Sequence, residues 1–170
     1  MAKTAAGARG VKTAAQARQI VKQRGLDYIK VGVFDGDGVL RGKYMGAEKF
    51  LAALDKGFGF CDVVLGWDSN DQLYDNTAFT GWHTGYPDAQ VRLLPDSCRD
   101  LPHEFDGRGL LFLGEFEGEA EEICPRGLLR RVLARATDMG LTATAALEYE
   151  FFLFDETPES YDVITALHVF

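Results

Sequence analysis

The stretch Tyr28-Ile29-Lys30-Val31-Gly32-Val33-Phe34-Asp35-Gly36-Asp37-Gly38-Val39-Leu40-Arg41-Gly42-Lys43-Tyr44-Met45 decides the fold class. Tyr28, Lys30, Gly32 and Phe34 alternate with Ile29, Val31 and Val33, the period of a half-buried strand. Asp35-Gly36-Asp37-Gly38 supplies the chemistry of a tight turn, and residues 39–45 return as the second strand of a hairpin. Upstream, residues 13–24 set Ala14, Ala15, Ala17, Ile20 and Val21 at a helical spacing that Gly25 ends. Downstream, residues 47–56 read as a short helix with Phe50, Leu51 and Leu54 at its apolar positions and Gly57 as its stop. A hairpin between helices, followed by further strands, specifies an α+β arrangement with a small mixed sheet.

The rest of the chain is less regular. Residues 57–95 are rich in Gly, Asp, Asn and aromatics, with strand-like pieces at 61–65 and 90–94, and long polar segments of this kind usually carry function. Trp67, Trp82, Tyr74 and Tyr86 read as residues that fasten this loop. Residues 110–116 form another expected strand. Pro125 opens a helix running to about residue 139, with Leu128, Leu129, Val132, Leu133 and Ala136 as its expected buried stripe. Residues 143–154 make a last strand. The acidic, Gly-containing stretch 117–122 marks an expected division between two units somewhere in residues 101–123, and the second unit is expected to be cut short.

Composition narrows the function classes. The chain has 170 residues, 46% of them hydrophobic, and a net charge of −8. With a mean hydropathy of −0.11 this is a globular composition, neither disordered nor membrane-embedded. No apolar run is long enough to span a bilayer, and the first sixteen residues lack the apolar core of a secretory signal, so they read as a frayed lead-in and the expected compartment is the cytoplasm. Cys61, Cys98 and Cys124 are widely spaced and form no CxxC pair, which predicts reduced thiols. Scattered basic residues in an acidic chain argue against a nucleic-acid surface.

Most motifs have a bland reading. An EF-hand beginning at Asp35 would need an oxygen ligand at its fifth position and Glu at its twelfth, but Val39 and Gly46 stand there, so Asp35-Gly36-Asp37-Gly38 reads as a turn. Arg41-Gly42-Lys43 could hold an anion or simply be a charged strand end. His83, His103 and His168 are too scattered for a metal signature, and neither a nucleophile elbow nor a Walker-type phosphate loop is present.

Leu147-Glu148-Tyr149-Glu150-Phe151-Phe152-Leu153-Phe154 resists such a reading. In an extended strand Glu148 and Glu150 project from one face with Cα atoms roughly 6.6 Å apart. Two like charges in an otherwise apolar strand call for divalent cations or a lining of basic groups. An exposed edge strand with ordinary surface acids is the alternative, but the flanking Phe and Leu residues favour metal ligands on a covered sheet.

The order of these segments resembles the glutamine synthetase family. The resemblance rests on Asp35-Gly36-Asp37-Gly38 with Arg41-Gly42-Lys43, then Leu94-Pro95-Asp96, Pro125-Arg126 with the helix behind it, and Glu148-Tyr149-Glu150-Phe151-Phe152-Leu153-Phe154. It implies a lead-in and helix over residues 1–25, a β-grasp domain over 26–105 and the truncated start of a catalytic domain over 120–170. It also implies ATP-dependent ligation of the glutamate γ-carboxylate to ammonia through γ-glutamyl phosphate, with Mg²⁺ or Mn²⁺ as cofactor. Glu148 and Glu150 match the family's first two metal-binding glutamates. The family loop that supplies an amine-binding Asp corresponds to Phe60-Cys61-Asp62-Val63. A strict match puts Cys61 at that position, with Asp62 offset by one residue and Asp68 as another substitute, and this departure points to γ-glutamyl-polyamine or another amine ligase as the alternative. The family's ATP-contacting residues and remaining ligands are expected downstream of residue 170, so the chain is expected to be inactive alone, and the full-length family forms homo-oligomeric rings. A non-catalytic interaction module built on the β-grasp surface is the reading from another class.

Overall fold

The computed structural model describes residues 7–151. The first helix, α1 (Ala14–Arg24), starts at Thr13, whose side chain accepts from the Gln16 backbone while the Gln16 side chain reaches back to the Thr13 N–H. This reciprocal cap satisfies two donors that a helix start leaves open. Gly25 ends the helix at φ 58°, the left-handed conformation that glycine adopts without a Cβ clash. Ala17, Ile20 and Val21 face inward.

The hairpin forms as its alternation requires. Strands β1 (Tyr28–Phe34) and β2 (Leu40–Gly46) pair antiparallel from Tyr28 opposite Gly46 to Phe34 opposite Leu40. Ile29, Val31 and Val33 are wholly buried. Helix α2 (Ala47–Lys56) follows at once and sets Phe50 against Phe112, ring centroids 4.8 Å apart. Gly57 then turns the chain at φ 67° into β3 (Phe58–Cys61), where a Cβ would stand 2.4 Å from the Val91 carbonyl oxygen.

Strand β4 (Asp88–Leu101) and strand β5 (Gly109–Phe116) complete a five-stranded sheet in the order β2-β1-β5-β4-β3. β5 runs parallel to β1 and antiparallel to β4, so the sheet is mixed. Because β5 lies at its centre, the sheet continues past residue 105, the expected end of the first unit. Short helix α3 (Glu119–Ile123) and helix α4 (Pro125–Asp138) follow.

Several expectations are corrected. The strand expected at 61–65 lies earlier, at Phe58–Cys61, and Asp62–Leu65 form a 3-10 turn. β4 is far longer than the expected 90–94, because it absorbs Pro95 and Asp96 in an irregularity between Leu94 and Arg99. There Ser97 Oγ accepts from the Leu113 backbone N–H at 2.8 Å, replacing the lost ladder partner. Residues 7–13 are not frayed: Ala8 and Val11 are buried, and the 3-10 turn Ala8–Gly10 packs on β4. The stripe expected to bury α4 is open, with Leu128, Leu129, Val132 and Leu133 all exposed.

The strand expected at 143–154 does not form over residues 143–151, and residues 152–154 lie outside the described ones. A strand needs a neighbour to take its backbone hydrogen bonds. None of the sheet pairings among the described residues involves this segment.

Candidate functional site

The turn at Asp35 is built by a wholly buried carboxylate. Asp35 Oδ1 accepts from the backbone N–H of Asp37 at 3.0 Å and of Val39 at 2.8 Å, while Oδ2 accepts from Arg41 Nε at 2.7 Å. Arg41 also meets Asp71 at 2.6 Å, and its guanidinium lies 5.0 Å from the centre of the Trp67 ring. Asp37 holds the Ser69 N–H at 2.8 Å. The hairpin turn is thereby fastened to the loop around residues 67–73. Arg41 is engaged in this clasp, which answers the anion reading of Arg41-Gly42-Lys43 for that residue.

Lys43 reaches across to β3. Its Nζ donates to the Gly59 carbonyl at 3.2 Å and lies 4.8 Å from the Phe60 ring centre and 5.2 Å from that of Phe58. Burial lowers its pKa, and the Lys49 charge adds to that effect. Neither contact was legible in the sequence, because both depend on the edges of the sheet approaching one another.

The loop expected to face the amine places its carboxylate inward. Asp62 is 3% exposed, accepts from Thr80 Oγ1 at 2.6 Å through Oδ1, and its backbone N–H donates to the Pro87 carbonyl. Asp62 also borders an open cleft of about 410 Å³ with Phe79, Thr84, Glu117 and Glu119. Cys61, one residue before it, is half-buried and its thiol donates to the Tyr86 carbonyl. Asp68 closes a local turn by accepting from the N–H groups of Asn70 and Gln72. Beyond it, Trp82 is 82% exposed and edge-on to Tyr86, with ring centroids 5.4 Å apart, so it does not fasten the loop from within.

Glu115 is the charged residue that sequence reasoning missed. It sits on β5 with 5% exposure and receives three arginines: Arg92 from β4, and Arg126 and Arg130 from α4. Arg130 also pairs with Glu121, and Arg131 donates to the Glu121 and Glu122 carbonyls of α3. Gly127 permits the close approach, since a Cβ there would meet the Glu121 carbonyl oxygen at 2.5 Å. The only sequence signal was the i, i+4 spacing of Arg126 and Arg130.

Glu148 and Glu150 are both exposed, in a segment without regular structure. As hard oxygen donors they fit Mg²⁺ or Mn²⁺ in kind. Among the described residues no group of three His, Cys, Asp or Glu side chains could hold a metal ion, so these two carboxylates would need further ligands from outside them. His83 Nε2 lies 3.2 Å from the Ala78 carbonyl, a local contact within its loop. Among the described residues no helix is long and apolar enough to cross a membrane.

Comparison with known proteins gives the geometry a lineage. The family described as the glutamine synthetase catalytic domain matches residues 122–168. The chain is 40% identical over 136 residues to type-1 glutamine synthetase 2 of Dictyostelium discoideum, covering 78% of this chain and 26% of that protein. It is 39% identical over 145 residues to the glutamate–isopropylamine ligase of a Pseudomonas species, covering 82% of this chain and 31% of that one. The fold is similar to that of Plasmodium falciparum glutamine synthetase, with a TM-score of 0.52 at 16% identity over 75% of this chain and 23% of the other. The chain thus spans between a quarter and a third of the length of these two curated relatives. By these matches it belongs to the glutamine synthetase family.

Proposed function

We propose that this chain supplies the N-terminal region and the first metal-ligand segment of an ATP-dependent ligase joining the glutamate γ-carboxylate to ammonia. The observation that carries the reading is Glu148-Tyr149-Glu150, which falls within the 122–168 match to the family's catalytic domain. A β-grasp unit fits the mixed sheet with its parallel central pair β1 and β5 and helices α1 and α2. The catalytic unit then begins near Pro125, after the Glu115 clasp.

In this chemistry the terminal phosphoryl group of ATP passes to a γ-carboxylate oxygen, leaving ADP. The amine nitrogen attacks the acyl carbon, phosphate departs with the electron pair of the broken C–O bond, and the nitrogen loses a proton. A divalent cation, when bound, neutralises charge on the phosphoryl oxygens. Glu148 and Glu150 would contribute two of its oxygen ligands, and the rest must come from outside the described residues. Asp62, steadied by Thr80, would draw the cationic form of the amine toward the cleft it shares with Glu117 and Glu119. A ring of subunits is the assembly proposed for the whole enzyme.

One observation favours an organic amine as a second reading. Cys61 stands where a strict match to the family loop requires Asp, and Asp62 already bonds Thr80. The named relatives include ligases or synthetases for isopropylamine, ethanolamide and putrescine products as well as glutamine synthetases.

Fragment complementation tests the proposal. The Pseudomonas ligase, with its matching third deleted, is mixed with this chain, ATP, glutamate, Mg²⁺ and either ammonia or isopropylamine. Amine-dependent phosphate release that disappears with Glu148→Gln or Glu150→Gln is the expected result. Co-assembly of the two pieces without turnover would overturn the reading.

A further inference from the structure

Lys43 is a nucleophile that the ligase reading leaves unused. It stands on β2 opposite the wholly buried Val31, so its stem runs along the covered face of the sheet. The amine ends beside the Phe60 and Phe58 rings, 4.8 Å and 5.2 Å from their centres. Among the described residues its one hydrogen-bond acceptor is the Gly59 carbonyl, at 3.2 Å.

Two effects hold the ammonium form back. Burial strips water from it by more than the rings' attraction for a cation restores, and the Lys49 charge on α2 repels a second positive charge. Asp88 and Cys61 act in the opposite sense without reversing the outcome, which is a lowered pKa. These two residues are partners across β3 and β4, and the Asp88 carboxylate lies over Gly59, where a Cβ would meet its Oδ2 at 2.6 Å. A lysine desolvated by apolar neighbours and set near another cation is the arrangement that makes an amine nucleophilic near neutral pH. Lys30 shows the contrast, because its hydrogen bond to Glu104 raises its pKa and keeps it charged.

We propose that Lys43 is a covalent site for a small aldehyde, held as an imine between Phe58 and Phe60. The neutral amine adds its lone pair to the carbonyl carbon, and one N–H proton passes to the carbonyl oxygen. A proton from solvent then lets that hydroxyl leave as water while the nitrogen lone pair forms the C=N bond. The product suits the surroundings of the ammonium it replaces. A protonated imine keeps its positive charge against the two rings and keeps one N–H for the Gly59 carbonyl. An amide would keep the N–H but give up the charge, which makes an acyl donor the poorer match. The site does not draw on the ligase reading, so either can fail without the other.

Reductive trapping on the full chain is the test. Propanal and cyanoborohydride are added at neutral pH, and the alkylated lysines are located by peptide mass spectrometry. Lys43 should be alkylated about fivefold faster than Lys12, Lys22 or Lys56. Denaturant should erase that lead, because only the fold brings the two rings and Lys49 to this amine. With the reductant left out, no adduct should survive removal of the propanal, since an imine hydrolyses. Equal or slower labelling at Lys43 would overturn the proposal. So would a lead that persists in denaturant, or an adduct that survives without reductant.

Discussion

Replacing Glu115 with Gln should release α4 while leaving the centre of the sheet closed. The side chain is isosteric, so packing is preserved, but three guanidinium groups then share a neutral acceptor. Removing one partner from a fully buried ion pair costs about 3–5 kcal/mol, because the opposite charge is left without compensation. Here the carboxylate side chain is 6% exposed and the arginines 35–42%, so water takes up part of the loss. Discounted for that exposure the cost is about 2 kcal/mol, or roughly thirtyfold in a local opening constant. The loss should concentrate in α4, whose apolar stripe is bare and whose attachment to β5 runs through Arg126 and Arg130. Hydrogen exchange resolved by residue is the assay. Amides of residues 129–136 should exchange about thirtyfold faster in Glu115→Gln, while those of Val31 and Val33 keep their protection. Unchanged exchange in α4, or equal loss throughout the sheet, would refute the view that this clasp is what docks the helix.

Two further perturbations address the sheet and its acid response. Hydrogen bonds from Lys30 and from Tyr44 hold the Glu104 carboxyl below its usual range. A depressed folded pKa stabilises above the unfolded value near 4.5 and is lost as pH falls through the folded value, so the stability gap between the native chain and Glu104→Gln should narrow below that pH; a constant gap in urea titrations would count against this pairing. Gly57→Ala places a methyl 2.3 Å from Gln90 Nε2 and 2.4 Å from the Val91 carbonyl oxygen at φ 67°, and should cost more than about 1 kcal/mol in thermal or urea unfolding; a neutral outcome would show that β3 enters the sheet differently.

Local chemistry was legible in the sequence where one element closes on itself. The spacing of Ala14, Ala17, Ile20 and Val21 with the terminal Gly25 defines α1, and the alternation from Tyr28 with its Asp-Gly turn defines the first hairpin. Reading failed where a distant partner decides. Val63, Val64 and Leu65 have strand propensity, yet the ladder is taken by Phe58–Cys61, which β4 can reach after the Gly57 turn. The strand expected at 90–94 continues to Leu101 because Ser97 supplies the acceptor that carries β4 past Pro95. The pattern of α4 was read correctly as amphipathic, while its covering was not, since periodicity names a face without naming what lies on it. The same limit applies to Glu148 and Glu150. Their spacing and family match were visible in the sequence, but the strand expected to carry them has no pairing partner among the described residues.

Mn²⁺ binding followed by electron paramagnetic resonance tests the central claim most directly. Two carboxylates without the remaining ligands should bind Mn²⁺ weakly, with a Kd on the order of millimolar, and Glu148→Gln or Glu150→Gln should each abolish that binding. Binding unchanged in both variants would contradict the assignment of these glutamates as metal ligands.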